Sequence, residues 1–298
     1  MKKVFLAGIV MILAACSNQE KEYDATGTFE ATETTVYAEA NGSLMRFNVN
    51  EGDSIAVNQE VGLIDTTQLS LKIQQLNATK AVYQSQKPDI HSQMAVTRQQ
   101  LAKARQEENR YRELVADGAA PRKMLDDAIS QVAVLQKQLD AQLSSLNTQT
   151  STLDSQLSTT DVQIAQLQDQ LRKCHIYVPV AGTVLEKYVE QGELVTIGKP
   201  LFKMADIKQM YLRAYVTTAQ LQNIKLGQSV KVLADYGNGN KHTYDGTVSW
   251  ISSRSEFTPK TILTDDERAS QVYAIKIAVN NDGYIKIGMY GEVLFSDK

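Results

Sequence analysis

The sequence predicts an elongated mixed α and β protein. A β-sandwich made in two halves is interrupted by a long antiparallel helical hairpin, and a further run of strands follows. Three observations carry this reading. Residues 66–173 hold one of the 16 glycines (Gly118), two of the five prolines (Pro88, Pro121) and 19 of the 27 glutamines, so the block has almost no turn chemistry. The stretches on either side of it match each other at a constant offset of 140 residues. Within the block, apolar residues recur in alternating steps of three and four, the rhythm of a coiled coil. The 298 residues allow two or more domains, and a formal charge of −3 argues against nucleic acid, which requires a basic face. Two cysteines exclude a disulfide framework and a cysteine-rich metal cluster.

Met1-Lys2-Lys3 precedes twelve uncharged, mostly apolar residues, Val4 to Ala15. As a helix they would span about 18 Å, short of the roughly 30 Å hydrocarbon core, so the layout is that of a secretory signal and not of a membrane span. Leu13-Ala14-Ala15-Cys16 resembles the bacterial lipobox, which implies cleavage after residue 15 and a lipid on Cys16. The polar residues from Asn18 to about Ala25 read as a tether, and residues 16–33 as tether plus first strand.

The repeat runs Val36-Tyr37-Ala38, Gly42-Ser43-Leu44, Val49, Gly52-Asp53 and Ile64 in its first copy. The second runs Ile176-Tyr177-Val178, Gly182-Thr183-Val184, Val189, Gly192-Glu193 and Met204. Short apolar strands divided by Gly-acidic turns suggest a small sandwich, with Gly42, Gly52, Gly182 and Gly192 supplying positive φ. Residues 34–65 and 174–206 then form one domain from two halves. Each half resembles half of a biotinyl/lipoyl domain. The acceptor lysine of the carrier proteins is missing, because Leu63-Ile64-Asp65-Thr66-Thr67 leads straight into the helical pattern and Lys72 lies within it.

In the gap, Leu125, Ile129, Val132, Leu139, Leu143, Leu146, Leu153, Leu157, Ile164, Leu167 and Leu171 make one seam, with Thr150 and Thr160 at its polar steps. The preceding arm carries Leu69, Ile73, Leu76, Tyr83, Ile90, Met94, Leu101, Ala104, Tyr111 and Val115. Its breaks in the rhythm fall at Lys80, Lys87, Thr97 and Glu108, and Pro88 should kink or interrupt it. Ala116 to Pro121 joins the arms, with Gly118 suited to a helix C-cap and Pro121 to the next helix's first turn. So short a connection makes the arms antiparallel, each about 75 Å long at fifty residues.

Beyond residue 206, Met210–Val216 reads as a strand and Thr217–Ile224 as a short helix with a Thr cap. Gly227–Val232 and Tyr244–Ile251 read as strands flanking a Gly237-Asn238-Gly239-Asn240 turn, and Val272–Val279 and Gly288–Phe295 close the pattern. Trp250 is expected in the core.

Taken together, a lipoyl-like domain split by a helical hairpin behind an N-terminal anchor resembles the HlyD-type membrane fusion proteins, the periplasmic adaptors of tripartite efflux and secretion systems. The resemblance implies a split biotinyl/lipoyl-like β-sandwich, a coiled-coil α-hairpin at 66–173 and a C-terminal β-barrel at 207–298. In the TolC-dependent members the hairpin tip carries an Arg, a Leu four residues on and a Ser seven beyond. Here Arg110 and Leu114 match, and Pro121 replaces the Ser. Ser253–Arg268 resembles a long barrel loop in a subgroup paired with ABC-type exporters. The implied partners are an inner-membrane ABC transporter, a TolC-like outer-membrane channel contacted by Arg110, Leu114, Gly118, Ala119, Ala120 and Pro121, further copies of the chain (a hexamer) and the membrane, through the lipid. The implied location is the periplasmic face of the inner membrane of a Gram-negative bacterium, although Ser17 after Cys16 would favour the outer membrane in enteric species.

No catalytic constellation emerges. His91, His175 and His242 fall in three different elements, Cys174 and His175 should diverge at a helix-to-strand junction, and Asp126-Asp127 and Asp265-Asp266-Glu267 read as surface charge. The expectation is a non-catalytic adaptor with no cofactor and no metal. Two other classes remain open: a biotin or lipoate carrier subunit, and a passive coiled-coil envelope lipoprotein.

Overall fold

The structure, a computed structural model, describes residues 23–237, 240–257 and 271–295. The signal, Cys16 and most of the tether lie outside these residues, as do Asn238 and Gly239 of the expected turn and residues 258–268 of the expected loop. The fold is the mixed α and β architecture expected, with sandwich, hairpin and barrel. The first strand, β1 (Ala25–Glu30), belongs to the barrel described below.

The sandwich takes four strands from each repeat. The first supplies β2 (Glu33–Tyr37), β3 (Gly42–Phe47), β4 (Ser54–Ile55) and β5 (Glu60–Ile64). The second supplies β6 (His175–Tyr177), β7 (Gly182–Lys187), β8 (Leu194–Val195) and β9 (Pro200–Ala205). The two sheets run β2-β9-β7-β4 and β6-β5-β3-β8, so each contains two strands from either half and each is the other's counterpart. Neither half can close its core alone. Val36, Leu44, Val49, Ile55, Val61 and Ile64 are buried together with their counterparts Ile176, Val184, Val189, Val195, Leu201 and Met204. The turns are exchanged in the same way: the Gly52 N–H donates to the Val184 carbonyl at 2.9 Å, and the Gly192 N–H to the Leu44 carbonyl at 2.8 Å.

The four repeat glycines are needed for two different reasons. Gly52 and Gly192 stand in tight turns at φ 90° and 93°, where an L side chain is strained. Gly182 does not have the positive φ expected of it; a Cβ there would lie 2.7 Å from the Ala205 carbonyl oxygen, and one on Gly42 would lie 2.8 Å from Ile64 Cγ2. Close strand approach, and not turn conformation, requires glycine at position 182, whereas Gly42 does adopt the expected positive φ, 155°.

The hairpin leaves the sandwich after β5 and returns at β6. Its outgoing arm is two helices, α1 (Thr67–Ser85) and α2 (Ile90–Ala116), and its return is one helix of 53 residues, α3 (Arg122–Cys174). At 1.5 Å per residue α3 is about 80 Å long. Pro88 interrupts the outgoing arm, and Asp89 restarts it by accepting from the backbone N–H groups of His91 and Ser92 at 3.0 and 3.2 Å.

The seam corrects part of the sequence reading. Ile129 and Leu143 are exposed, at 43% and 37%. The face toward the partner arm instead runs Leu125, Ala128, Val132, Leu135, Leu139, Gln142 and Leu146, an unbroken alternation of three and four. Two of the breaks in the outgoing arm, Lys80 and Lys87, are points of attachment to the return helix, as is Arg105. Lys80 Nζ lies 2.6 Å from Asp161, Lys87 is paired with Asp154, and Arg105 donates to Gln136 at 2.7 Å. A heptad step outward from Lys80 to Lys87 is matched by a heptad step back from Asp161 to Asp154, so the polar residues fall into register with the apolar ones.

The C-terminal strands form a closed barrel with β1. Its order is β1, β10 (Gln209–Thr217), β13 (Gln271–Asn280), β12 (Lys241–Phe257), β11 (Ser229–Asp235) and β14 (Tyr290–Leu294). β1 pairs with both β10 and β14, so the segment expected to end a tether at Ala25 is the strand that removes the last open edge. Phe29, Leu212, Val232, Ile275, Ile277 and Val293 fill the interior. A short helix, α4 (Thr218–Leu221), starts at Thr217 in a capping box completed by Gln220.

Trp250 is not in this core; it is 41% exposed. Tyr244, Gly246 and Val248 point inward in alternation, and Trp250 should follow. The β12–β13 register slips between Val248 and Trp250, setting Trp250 opposite the outward-facing Lys276. A bulge of one residue reverses the face of everything after it.

Candidate interface at the hairpin tip

The tip is a closed helix end followed at once by a new helix. Asp117 caps α2 and Gly118 adopts φ 73° with open space around it. The Ala119 N–H donates to the Leu114 carbonyl at 2.8 Å and the Gly118 N–H to the Val115 carbonyl at 3.2 Å, the two bonds of a Schellman motif. Pro121, at φ −68° and ψ 141°, precedes α3 without a side-chain cap, and its carbonyl accepts from the Met124 N–H at 3.0 Å. The N–H groups of Asp117, Gly118, Ala119 and Met124 are thus satisfied within the turn. Gly118, Ala119 and Pro121 are exposed and Ala120 is half-buried, a small and stiff protrusion with no large side chain.

Arg110 and Leu114 stand one helical turn apart on α2, on the face leading up to this turn. Arg110 is exposed, lies 3.1 Å from Glu107, and its guanidinium sits 5.1 Å from the centre of the Tyr111 ring. Leu114 is half-buried. The structure thus brings Arg110, Leu114 and Gly118–Pro121 to one end of the hairpin. The four repeat glycines lie in the sandwich at its other end, and Cys16 lies outside the described residues.

Behind the tip, a groove of about 620 Å³ opens between the arms, lined by Ala104, Glu107, Tyr111, Met124, Ala128 and Leu135 among others. Alanines at facing seam positions, Ala104 and Ala128, leave the room. The sequence reading counted Ala104 as ordinary seam and missed the groove; two small residues at opposed steps were the available signal.

The chemistry-bearing residues stay apart. Cys174 is buried at the end of α3 with its thiol donating to the Gln170 carbonyl, and burial pushes its ionisation upward, away from the thiolate a nucleophile needs. His175 faces Glu60, with Nδ1 3.2 Å from the carboxylate, while His91 begins α2 and His242 lies in the barrel against Tyr236 and Tyr244. Among the described residues, no group of three or more His, Cys, Asp or Glu is placed to hold a metal ion, and no helix is long and apolar enough to cross a membrane.

Comparison with known proteins agrees with this architecture. Residues 32–206, more than half of the chain, match the family described as RND MFP, barrel-sandwich hybrid domain. The chain is 32% identical over 124 residues to the UPF0194 membrane protein of Citrobacter koseri and, equally, to UPF0194 membrane protein YbhG of Salmonella paratyphi B. These alignments cover 41% of this chain and 37% of each relative's length. Among solved structures, MacA from Actinobacillus actinomycetemcomitans superposes with a TM-score of 0.56 at 20% identity, covering 90% of this chain and 76% of that one. A MacA-MexA chimera carrying the Pseudomonas aeruginosa MexA α-hairpin gives 0.51 at 21% identity, covering 92% and 81%. At these identities the two structures show the shared fold. With a sandwich of two interlocked halves, a hairpin inserted between them and a match across residues 32–206, the chain belongs to the membrane fusion protein family.

Proposed function

We propose that this chain is a lipid-anchored, non-catalytic periplasmic adaptor linking an inner-membrane ABC exporter to a TolC-like outer-membrane channel. The observation that carries the reading is the hairpin itself. A 53-residue helix is returned on a two-helix arm and ends in a short, exposed turn, which gives reach without a reactive group. Sandwich residues 34–65 and 174–206 would stack with those of other copies into a ring of six. The hairpins, residues 66–173, would line a conduit, and the barrel would face the exporter. Arg110, Leu114 and Gly118–Pro121 would make the distal contact, and Cys16 would carry the lipid. The description of the matched family carries the label RND MFP. The choice of an ABC exporter rests on the resemblance of Ser253–Arg268 to the loop of ABC-paired adaptors, and on the long β12 strand, Lys241–Phe257, that leads into it. Nothing in the hairpin favours a carrier subunit: the lysine that would take biotin or lipoate is missing where β5 runs into α1.

The test is affinity capture of the full chain from membranes of its own host. The proposal expects an ABC exporter and an outer-membrane channel to come with it, and the variant lacking residues 116–121 to retain the exporter and lose the channel. Capture of neither partner, or of a channel indifferent to the deletion, would count against it.

A further inference from the structure

Asp24 fixes the place where the chain joins the barrel to one rim. Its N–H donates to the Val293 carbonyl at 2.8 Å, its carboxylate accepts from the Phe295 N–H at 2.8 Å, and its carbonyl accepts from the Gln220 side chain. The network continues along the rim. The Phe295 carbonyl accepts from Gln228 Nε2 at 3.1 Å, and Gln228 Oε1 accepts from the Lys225 N–H at 3.0 Å. The turn Lys225-Leu226-Gly227 therefore sits beside the N-terminal segment. Gly227, at φ 82°, donates to the Val248 carbonyl at 2.8 Å, and the neighbouring Ile224 is buried in the barrel core. Held from both sides, Leu226 is turned outward and is 69% exposed, with the exposed Lys225 before it. The opposite rim carries both short connections to the sandwich, β1 to β2 and β9 to β10.

We propose that this turn is a lipid-contacting foot, with Leu226 entering the headgroup layer of a phospholipid bilayer and Lys225 meeting its anionic headgroups. The inference rests on Cys16 being acylated, as the proposed function holds. Cys16 and Tyr23 are seven residues apart, an extended reach of about 25 Å, so the acyl chains would keep this rim within that distance of the bilayer. A rigidly presented leucine flanked by lysine is the residue pairing that partitions at an interface. The acyl chains hold the protein to the membrane; the foot sets its orientation. With one rim on the bilayer and the sandwich leaving from the other, the hairpin points away from the membrane.

The experiment uses the full acylated chain in vesicles of phosphatidylethanolamine and phosphatidylglycerol. An environment-sensitive fluorophore is placed on Leu226→Cys and, as control, on Leu194→Cys in the sandwich, itself 72% exposed. Cys174 is buried and Cys16 is blocked by its lipid, so the label goes to the introduced thiol. Lipids brominated on their acyl chains should quench the label at 226 several-fold more than at 194, and Lys225→Glu should weaken that difference. Equal quenching at both sites overturns the foot while leaving the anchor intact. Shielding of 226 from iodide without acyl-chain quenching means cover by protein, and also overturns it. Failure of the unlabelled chain to float with vesicles overturns the Cys16 anchor, and the foot with it.

Discussion

Thr97 Oγ1 donates a 3.0 Å hydrogen bond to Gln142 Oε1 across the hairpin, and Gln142 Nε2 donates in turn to the Gln93 carbonyl at 3.0 Å. Thr97 is buried, although by sequence it interrupts the apolar rhythm of its arm. One glutamine thus fills a seam position and satisfies a buried hydroxyl on the facing helix. Replacing Gln142 by Leu alone should cost about 1–2 kcal/mol, because that hydroxyl loses its acceptor, whereas Thr97→Val with Gln142→Leu should recover most of the loss. Urea unfolding of the four members of this double-mutant cycle measures the difference.

Lys87 and Asp154 belong to the same ladder but are more exposed. Lys87→Asp should destabilise the hairpin by opposing two carboxylates, and Lys87→Asp with Asp154→Lys should restore it. The coupling between the two sites is expected at about 0.2–1 kcal/mol, and should shrink in high salt. Denaturation at low and high ionic strength checks both the size and the screening.

The two kinds of repeat glycine should respond differently to alanine. Gly192→Ala has open space and must only adopt an unfavourable φ, a cost of about 1–2 kcal/mol. Gly182→Ala also pushes a methyl group against the Ala205 backbone and should cost more, with the sandwich, and not the barrel, losing amide-exchange protection.

Asp89 holds the restart of the outgoing arm. Hydrogen bonds from the Ser92 side chain and backbone keep its carboxyl below the usual carboxylate range. A carboxylate whose folded pKa is depressed adds stability that is present above its unfolded value and is lost as pH falls through the folded one. The amides of His91 and Ser92 should therefore be protected at pH 5 and lose protection as the solution is acidified below about pH 4, the ordinary aspartate range. Asp89→Asn should flatten that dependence, as hydrogen exchange across the acid range would show.

Trp250 is the chain's only tryptophan, so its fluorescence reports the bulge directly. The folded protein should be quenched readily by acrylamide. Emission shielded like that of a core indole would contradict the register slip at Ser249.

The parts legible in the sequence were those with a local or repeated signal. The offset repeat identified Val36 with Ile176 and Gly52 with Gly192, and the Gly118–Pro121 turn marked where the arms reverse. Apolar identity misled at Ile129 and Leu143, because the seam follows the helix's angular drift and accepted Ala128 and Gln142 instead. Membership of β1 in the barrel could not be read locally, since Thr26 finds its partners at Tyr215 and Glu292, far along the chain. Nor could the inversion at Trp250, which depends on the length of the facing strand. At the tip, Arg110 and Leu114 were found through family resemblance, while the contact of Arg110 with Tyr111 and the groove at Ala104 and Ala128 needed three-dimensional placement.

The central claim is that the hairpin tip docks on an outer-membrane channel, and a crosslink at its apex tests this most directly. With Ala119 replaced by a photo-crosslinking amino acid in the full chain, irradiation of living cells should trap an outer-membrane channel protein in one discrete adduct. The same residue placed at Ile197 on the sandwich should not trap it. An Ala119 adduct with other copies of the chain alone, or none with any outer-membrane protein, would contradict the account.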